Sequence, residues 1–180
     1  RVSVKAEFLK EDEFMEELIL VFPTKEYKTQ IKEYVQEFIN NNENEIIGDA
    51  NLYKIKDIDN WLERIESDLS EKQLKKGEVP STIYFTIRKF DNKIIGNIQI
   101  KHYLNQTLLN HGGHIRHSIR PSERKKGYAT IQIRLALRKC LELGIGRVLI
   151  ESYKNNIAAC KSIISNGGIL ETEINMPNRE

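Results

Sequence analysis

The chain has 180 residues, 39% apolar and 30% charged, a profile that suits one globular domain with a real core and no need of disulfides or metals. Its 28 basic and 26 acidic residues leave a net charge of +2, which argues against a dedicated nucleic-acid binder, whose basic face shows in the total. No apolar run reaches the ~18 residues of a membrane span and no secretory segment opens the chain, so no membrane partner is expected and the expected setting is cytoplasmic.

In chain order, residues 1–16 are mixed and charged and are expected to form an N-terminal extension, with a single domain over 17–180. Leu18 to Phe22 is a short apolar run ended by Pro23, a buried strand, and Thr24 is placed to cap the helix after it. From Lys25 to Asn40 the residues Tyr27, Ile31, Tyr34, Val35, Phe38 and Ile39 recur at helical spacing. Glu43 to Asp57 has no period and is expected as a loop. Asp59 is then expected to cap a second helix through Trp61, Leu62, Ile65 and Leu69.

Ile83, Phe85 and Ile87 alternate, Asp91-Asn92-Lys93 turns, and Ile94 to Ile100 returns, which predicts a hairpin with a bulge near Gly96. Asn105 to Gly113 is expected as a polar loop and His114 to Arg120 as a strand. A helix from Ala129 to Leu143 carries Ile133, Ala136, Leu137 and Cys140 on one face and stops at Gly144. Val148-Leu149-Ile150 is a buried strand, Asn156 to Asn166 a helix closed by Gly167-Gly168, and Ile169 to Ile174 a last strand. Cys140 and Cys160 fall among apolar helical neighbours and are expected as reduced thiols. This order predicts a mixed α/β (α+β) domain with helices on both faces of the sheet.

Arg120-Pro121-Ser122-Glu123-Arg124-Lys125-Lys126-Gly127-Tyr128-Ala129-Thr130 joins a strand to a helix. Consecutive basic residues, a glycine and a small residue in the turn that opens a helix make a seat for a phosphate. Backbone N–H groups and the positive end of the helix dipole converge there.

These residues resemble the GNAT superfamily of N-acetyltransferases. Its signature, Arg/Gln-x-x-Gly-x-Gly/Ala, is matched by Arg124-Lys125-Lys126-Gly127-Tyr128-Ala129, and its Asn-x-x-Ala/Ser motif by Asn156-Ile157-Ala158-Ala159. Gly167-Gly168 stands where many members have Gly-Phe. The chain is most similar to the branch of predicted acetyltransferases with Gly-His-Ile-x-x-Ser-Ile-Arg-Pro before the glycine turn, here Gly113 to Pro121. The resemblance implies a mostly antiparallel sheet of about six strands, acetyl-coenzyme A as cosubstrate, and an amine acceptor; a homodimer is compatible with it. It implies that Arg124, Lys125, Lys126, Gly127, Tyr128, Ala129 and Thr130 form the pyrophosphate turn. Backbone atoms of His117, Ser118 and Ile119 would hold the pantetheine arm like an added strand, and Asn156 would bond that arm or orient the strand ends.

Direct transfer to an amine needs a base, an oxyanion stabiliser and a proton for the departing thiolate. Candidate bases are Glu151, which is equally well read as a surface carboxylate, and His117 on the central strand. Many family members use a tyrosine seven residues after the asparagine as acid; here that position is Ile163, so Tyr153 or solvent would have to serve. No metal is expected, because strand parity splits His111, His114 and His117 between faces. Asp49, Asp57 and Asp59 are candidates to attract a cationic amine, or belong to a solvated loop. The rival function is a non-catalytic coenzyme A-binding or regulatory domain, favoured by Ile163. The family adds another strand beyond Ile174, which the sequence leaves unaccounted for.

Overall fold

Period-2 and period-3.6 patterns resolve, in the computed structural model, into a seven-stranded sheet with helices on both faces; residues 1–5, 17–55 and 57–174 are described. The strands are β1 (Val2–Lys5), β2 (Leu18–Val21), β3 (Ser81–Arg88), β4 (Lys93–Lys101), β5 (Ile115–Ile119), β6 (Arg147–Ile150) and β7 (Ile169–Leu170). The α-helices are α1 (Lys28–Asn40), α2 (Ile58–Ser67), α3 (Gln106–Asn110), α4 (Tyr128–Glu142) and α5 (Ile157–Ser165). The sheet order is β2-β3-β4-β5-β6-β1-β7. Every neighbouring pair is antiparallel except β5 with β6, which run parallel.

The helices divide into two layers. Ile31, Tyr34 and Phe38 of α1 and Trp61 and Ile65 of α2 pack on Ile83, Phe85 and Ile87 of β3. On the other face Ile133, Ala136, Leu137 and Cys140 of α4 and Ile163 of α5 pack on Ile98, Ile100, Ile115, Val148 and Ile150. Trp61 is core: it is fully buried and its indole donates to the Asp49 carbonyl at 3.0 Å. The bulge lies beside Gly96, where the β3–β4 register shifts. A Cβ at Gly96 would stand 2.3 Å from the Ser118 carbonyl oxygen, so only glycine lets β5 approach there. No described helix is long and apolar enough to cross a membrane.

Several local expectations are corrected. Val2–Lys5, expected within an extension, form β1, inserted between β6 and β7; residues 6–16 and 175–180 lie outside the described residues. Thr24 makes no side-chain cap bond: a 3-10 turn at Lys25–Tyr27 intervenes and α1 starts at Lys28. Asp57, not Asp59, caps α2, because Asp57 holds the extended backbone a cap needs and accepts from Asp59 N and Asn60 N; Asp59 instead pairs with Lys28 at 2.6 Å. The 105–113 loop contains α3, capped by Asn105 through Leu108 N at 3.0 Å. Of the expected strand 169–174, only Ile169–Leu170 pairs, with β1.

Candidate active site

The parallel ladder between β5 and β6 is a single pair, Ile115 with Ile150, and beyond it the strands part. On its other edge β5 is fully paired with β4. Lys101 N bonds the His114 carbonyl and Arg120 N the Ile95 carbonyl, so even-numbered residues of β5 face β4. By strand alternation the N–H and C=O of His117 and Ile119 turn into the opening. The Ile119 carbonyl accepts from Arg124 Nε at 2.9 Å. His117 is left with a backbone donor and acceptor that no described residue meets, an unpaired strand edge inside the sheet.

A cavity of about 350 Å³ fills this opening, and His117, Glu151, Tyr153, Asn156 and Ile163 all line it. The structure thus gathers the candidate base, the candidate acid and the asparagine on one wall set. Glu151 Oε2 accepts the Gly112 amide at 2.6 Å and so ties the Gly112-Gly113 turn to the end of β6. Asn156 caps α5 through Ala159 N at 3.1 Å, which fixes its side-chain oxygen; its amide nitrogen has no hydrogen-bond partner among the described residues. Tyr153 is 65% exposed, while Ile163 is 1% exposed and belongs to the apolar core. Cys140 is buried in the α4 layer, which pushes its thiol up to about 12. Cys160 is half-buried, with Sγ 3.6 Å from the Tyr153 carbonyl.

His117 Nδ1 lies 2.8 Å from Gln132 Oε1. Gln132 is fully buried on α4, and its Nε2 reaches Thr86 Oγ1 at 2.7 Å and the Asn97 carbonyl at 3.1 Å. A carbonyl can only accept, so the amide nitrogen must face Asn97 and the amide oxygen must face the imidazole. Nδ1 therefore carries the proton and Nε2 the lone pair. Burial holds the imidazole below its ordinary pKa, with the Gln132 bond opposing. Gln132 was not among the expected site residues. The signal is its position three residues after Ala129 and four before Ala136, a polar side chain on the buried stripe.

His114 has a different task. Its Nδ1 accepts from Leu149 N at 3.0 Å, which clips the start of β5 to β6, and burial lowers its pKa. On the other face the Ser118 hydroxyl and the Asn97 amide both donate to the Ile47 carbonyl at 3.0 Å. These bonds dock the 43–53 loop on the sheet. A Cβ at Gly48 would lie 2.2 Å from the Arg116 carbonyl oxygen, which accounts for glycine at this approach.

At the far end of β5 the turn into α4 places Lys125 at φ 63° and Gly127 at φ 83°, both left-handed. No described residue accepts from the amides of Lys125, Lys126, Gly127 or Tyr128. A Cβ on Gly127 would meet nothing within 4 Å, so the space beside it is open. That is the geometry of an anion-binding nest at a helix N-terminus. The side chains around it are more committed than the sequence implies. Arg124 bonds both oxygens of Glu43, at 2.7 and 2.9 Å, and lies over the Phe38 ring. Lys126 pairs with Glu123 at 2.8 Å. The Tyr128 hydroxyl joins Arg88 and Glu17, Ala129 packs in the core, and Thr130 bonds Ser162. Lys125 alone of these basic residues has no ion-pair partner among the described residues.

The three aspartates expected to attract a cationic amine are all spoken for. Asp49 accepts Asn51 N and Tyr53 N at 2.8 and 2.7 Å, Asp57 caps α2, and Asp59 pairs with Lys28.

A family model described as Acetyltransferase (GNAT) family matches residues 51–162. Among solved structures the chain is similar to that of YycN, a candidate acetyltransferase of Bacillus subtilis. The two are 16% identical, with 91% of this chain and 98% of that one covered and a TM-score of 0.46. No curated protein matches the chain.

Proposed function

The chain belongs to the acetyltransferase (GNAT) family, and on that premise we propose that it transfers an acetyl group from acetyl-coenzyme A directly to a primary amine. The observation that carries this reading is the open seam of β5, with the unpaired His117 peptide at its centre and the free amides of Lys125 to Tyr128 at its end. A ligand with a pyrophosphate at one end and an amide-bearing arm fits both features. The amides and the α4 N-terminus would hold the pyrophosphate, and Lys125 would add charge. The His117 N–H and C=O would bond the arm as an added strand. Acetyl-coenzyme A, when bound, supplies an activated thioester carbonyl and a thiol leaving group.

His117 Nε2, bearing the lone pair, is the group we assign as base; it would take the proton of the attacking amine, directly or through one water. Glu151 has one oxygen engaged with Gly112 and would orient that lip. Ile163 cannot donate a proton, so the exposed Tyr153 hydroxyl or solvent would protonate the departing thiolate. Both cysteines are free, consistent with a reducing, cytoplasmic setting, and neither is needed as a nucleophile.

The test is calorimetry with coenzyme A on the wild type and on Gly127→Glu. The substitution fills the open space with a like charge, and affinity should fall more than ~100-fold while the circular dichroism spectrum is kept. Unchanged affinity would remove the pyrophosphate from this turn. The buried Ile163 favours a second reading, a coenzyme A-binding domain without catalysis. Its mark would be tight binding with no thiol released from acetyl-coenzyme A by any amine.

A further inference from the structure

A second cavity, of about 540 Å³, lies on the α1–α2 side of the sheet and meets the first along Glu45, Ile47, His111, Gly112 and Arg116. Its volume falls within the range of small-molecule sites. An acceptor entering here would reach the seam of β5 from the face opposite the His117 ring, so Nε2 would act on its amine through water where the two cavities meet. The charges of the wall therefore bear on what that acceptor is.

The wall carries carboxylates and cations alike, but they are not equally available. Asp49 is buried and capped by the amides of Asn51 and Tyr53. Asp68 and Glu78 both lie 4.0 Å from Arg64, and Glu78 also accepts the Lys75 amide. Glu45 remains, exposed, where the two cavities meet. Among the cations, neither Arg116 nor Lys101 has a hydrogen bond or an ion pair to a described residue through its side chain. Gln99 pairs across from Arg116, and Lys101 is two residues further along β4. The two cations are thus diagonal neighbours on one sheet face, about 7–8 Å apart at the backbone. No carboxylate among the described residues bridges them. Burial lowers the Lys101 pKa and Arg116 adds to that, while Asp68 and Glu78 oppose it.

We infer that the acceptor is an amine that also carries a carboxylate, an amino-acid-like zwitterion, with the carboxylate held by Arg116 and Lys101 and the amine directed to Glu45 and the β5 edge. This rests on the acetyltransferase reading and narrows its substrate class. It turns away from polyamines and aminoglycosides, which offer Arg116 and Lys101 no carboxylate and would bring further positive charge against them. A planar, bidentate carboxylate suits the Arg116 fork, and Lys101 supplies the second charge at the far side.

The test titrates the coenzyme A-saturated protein with glycine, alanine, glutamate, lysine and phenylalanine, with their carboxamides, and with putrescine and spermidine. Thiol release from acetyl-coenzyme A is measured on the same panel. At least one amino acid should bind ten-fold or more tightly than its carboxamide. Arg116→Gln and Lys101→Met should each remove most of that difference, without lowering the melting temperature by more than a few degrees. Carboxamides or polyamines that bind as well as the amino acids would overturn the inference. So would an amino acid preference that survives in both variants, or no amino acid binding at all. Failure of coenzyme A itself to bind, seen before any amine is added, would overturn the acetyltransferase reading and this inference together.

Discussion

The imidazole of His117 has its tautomer set by a glutamine that could not be turned round without facing two carbonyl oxygens, those of Asn97 and Ser118. Gln132 presents its amide nitrogen to Asn97 and its oxygen to Nδ1, so the basic nitrogen is Nε2. Burial lowers the pKa of the ring, with the Gln132 bond opposing. If His117 is the base, kcat/KM should rise with pH through an apparent value below the ordinary ~6.5 of histidine and then level, the titration of the acceptor amine appearing separately at higher pH. His117→Ala should lose about 10²–10⁴-fold in kcat/KM and abolish this lower limb. Gln132→Glu places a carboxylate against Nδ1–H and should move the limb upward by about one unit or more. A limb that stays put in Gln132→Glu would show that His117 is not the group titrating. Sequence spacing could find His117, which stands in a motif-bearing strand. It could not find Arg116 and Lys101 as a pair, because their adjacency exists only across the β4–β5 register.

The turn between β5 and α4 is held from beneath by Glu123, which is 4% exposed and meets Arg88, Lys93 and Lys126 at 2.8–2.9 Å. Burial alone would raise this carboxyl, but the three cationic hydrogen bonds outweigh it and bring it down to about 2. Its ordinary value in an unfolded chain is about 4.3, so the unfolded state binds the proton more readily. The stability it contributes is full above that ordinary value and is lost as pH falls toward the folded value. The wild type should therefore lose melting temperature between about pH 5 and pH 2, and Glu123→Gln should show a shallower loss in that window. At neutral pH Glu123→Gln should cost about 2–3 kcal/mol in urea unfolding, since Arg88 and Lys93 lose a charged acceptor. An acid profile identical to wild type would place the acid-sensitive group elsewhere. At this scale much of the molecule is legible from sequence. The 3.6-residue period gives α1, α2, α4 and α5, and Gly127 marks a left-handed turn that few other residues adopt. Helix starts are less legible. Asp57 and Asp59 are both good caps by type, and only the extended backbone at Asp57 decides between them.

The least legible element is the one that completes the sheet. Val2–Lys5 is only four residues long, and its pairing with β6 joins residues at opposite ends of the chain, where no local pattern can signal it. Its place is nevertheless specific. Val4 is fully buried among Ile115, Val148, Ile150 and Ile163. A Cβ on Gly168 would stand 2.7 Å from Val2 Cγ1, so the turn before β7 is glycine where β1 passes. β1 backs β6, and β6 is one lip of the seam at His117, so the two ends of the chain brace the candidate site. Val4→Ala should cost about 2 kcal/mol of stability, the scale of burying one branched aliphatic side chain. A sharper test uses the register, in which Ser3 lies opposite Ile169. Opposed residues of an antiparallel pair sit within the Cα range of about 4.4–6.8 Å that a disulfide spans. Ser3→Cys with Ile169→Cys, in a Cys160→Ser background, should oxidise to a cross-link that keeps the protein monomeric on a non-reducing gel and raises its melting temperature. A cross-linked dimer would mean that β1 is exchanged between copies. No cross-link at all would remove β1 from the sheet and leave the β6 lip without that support.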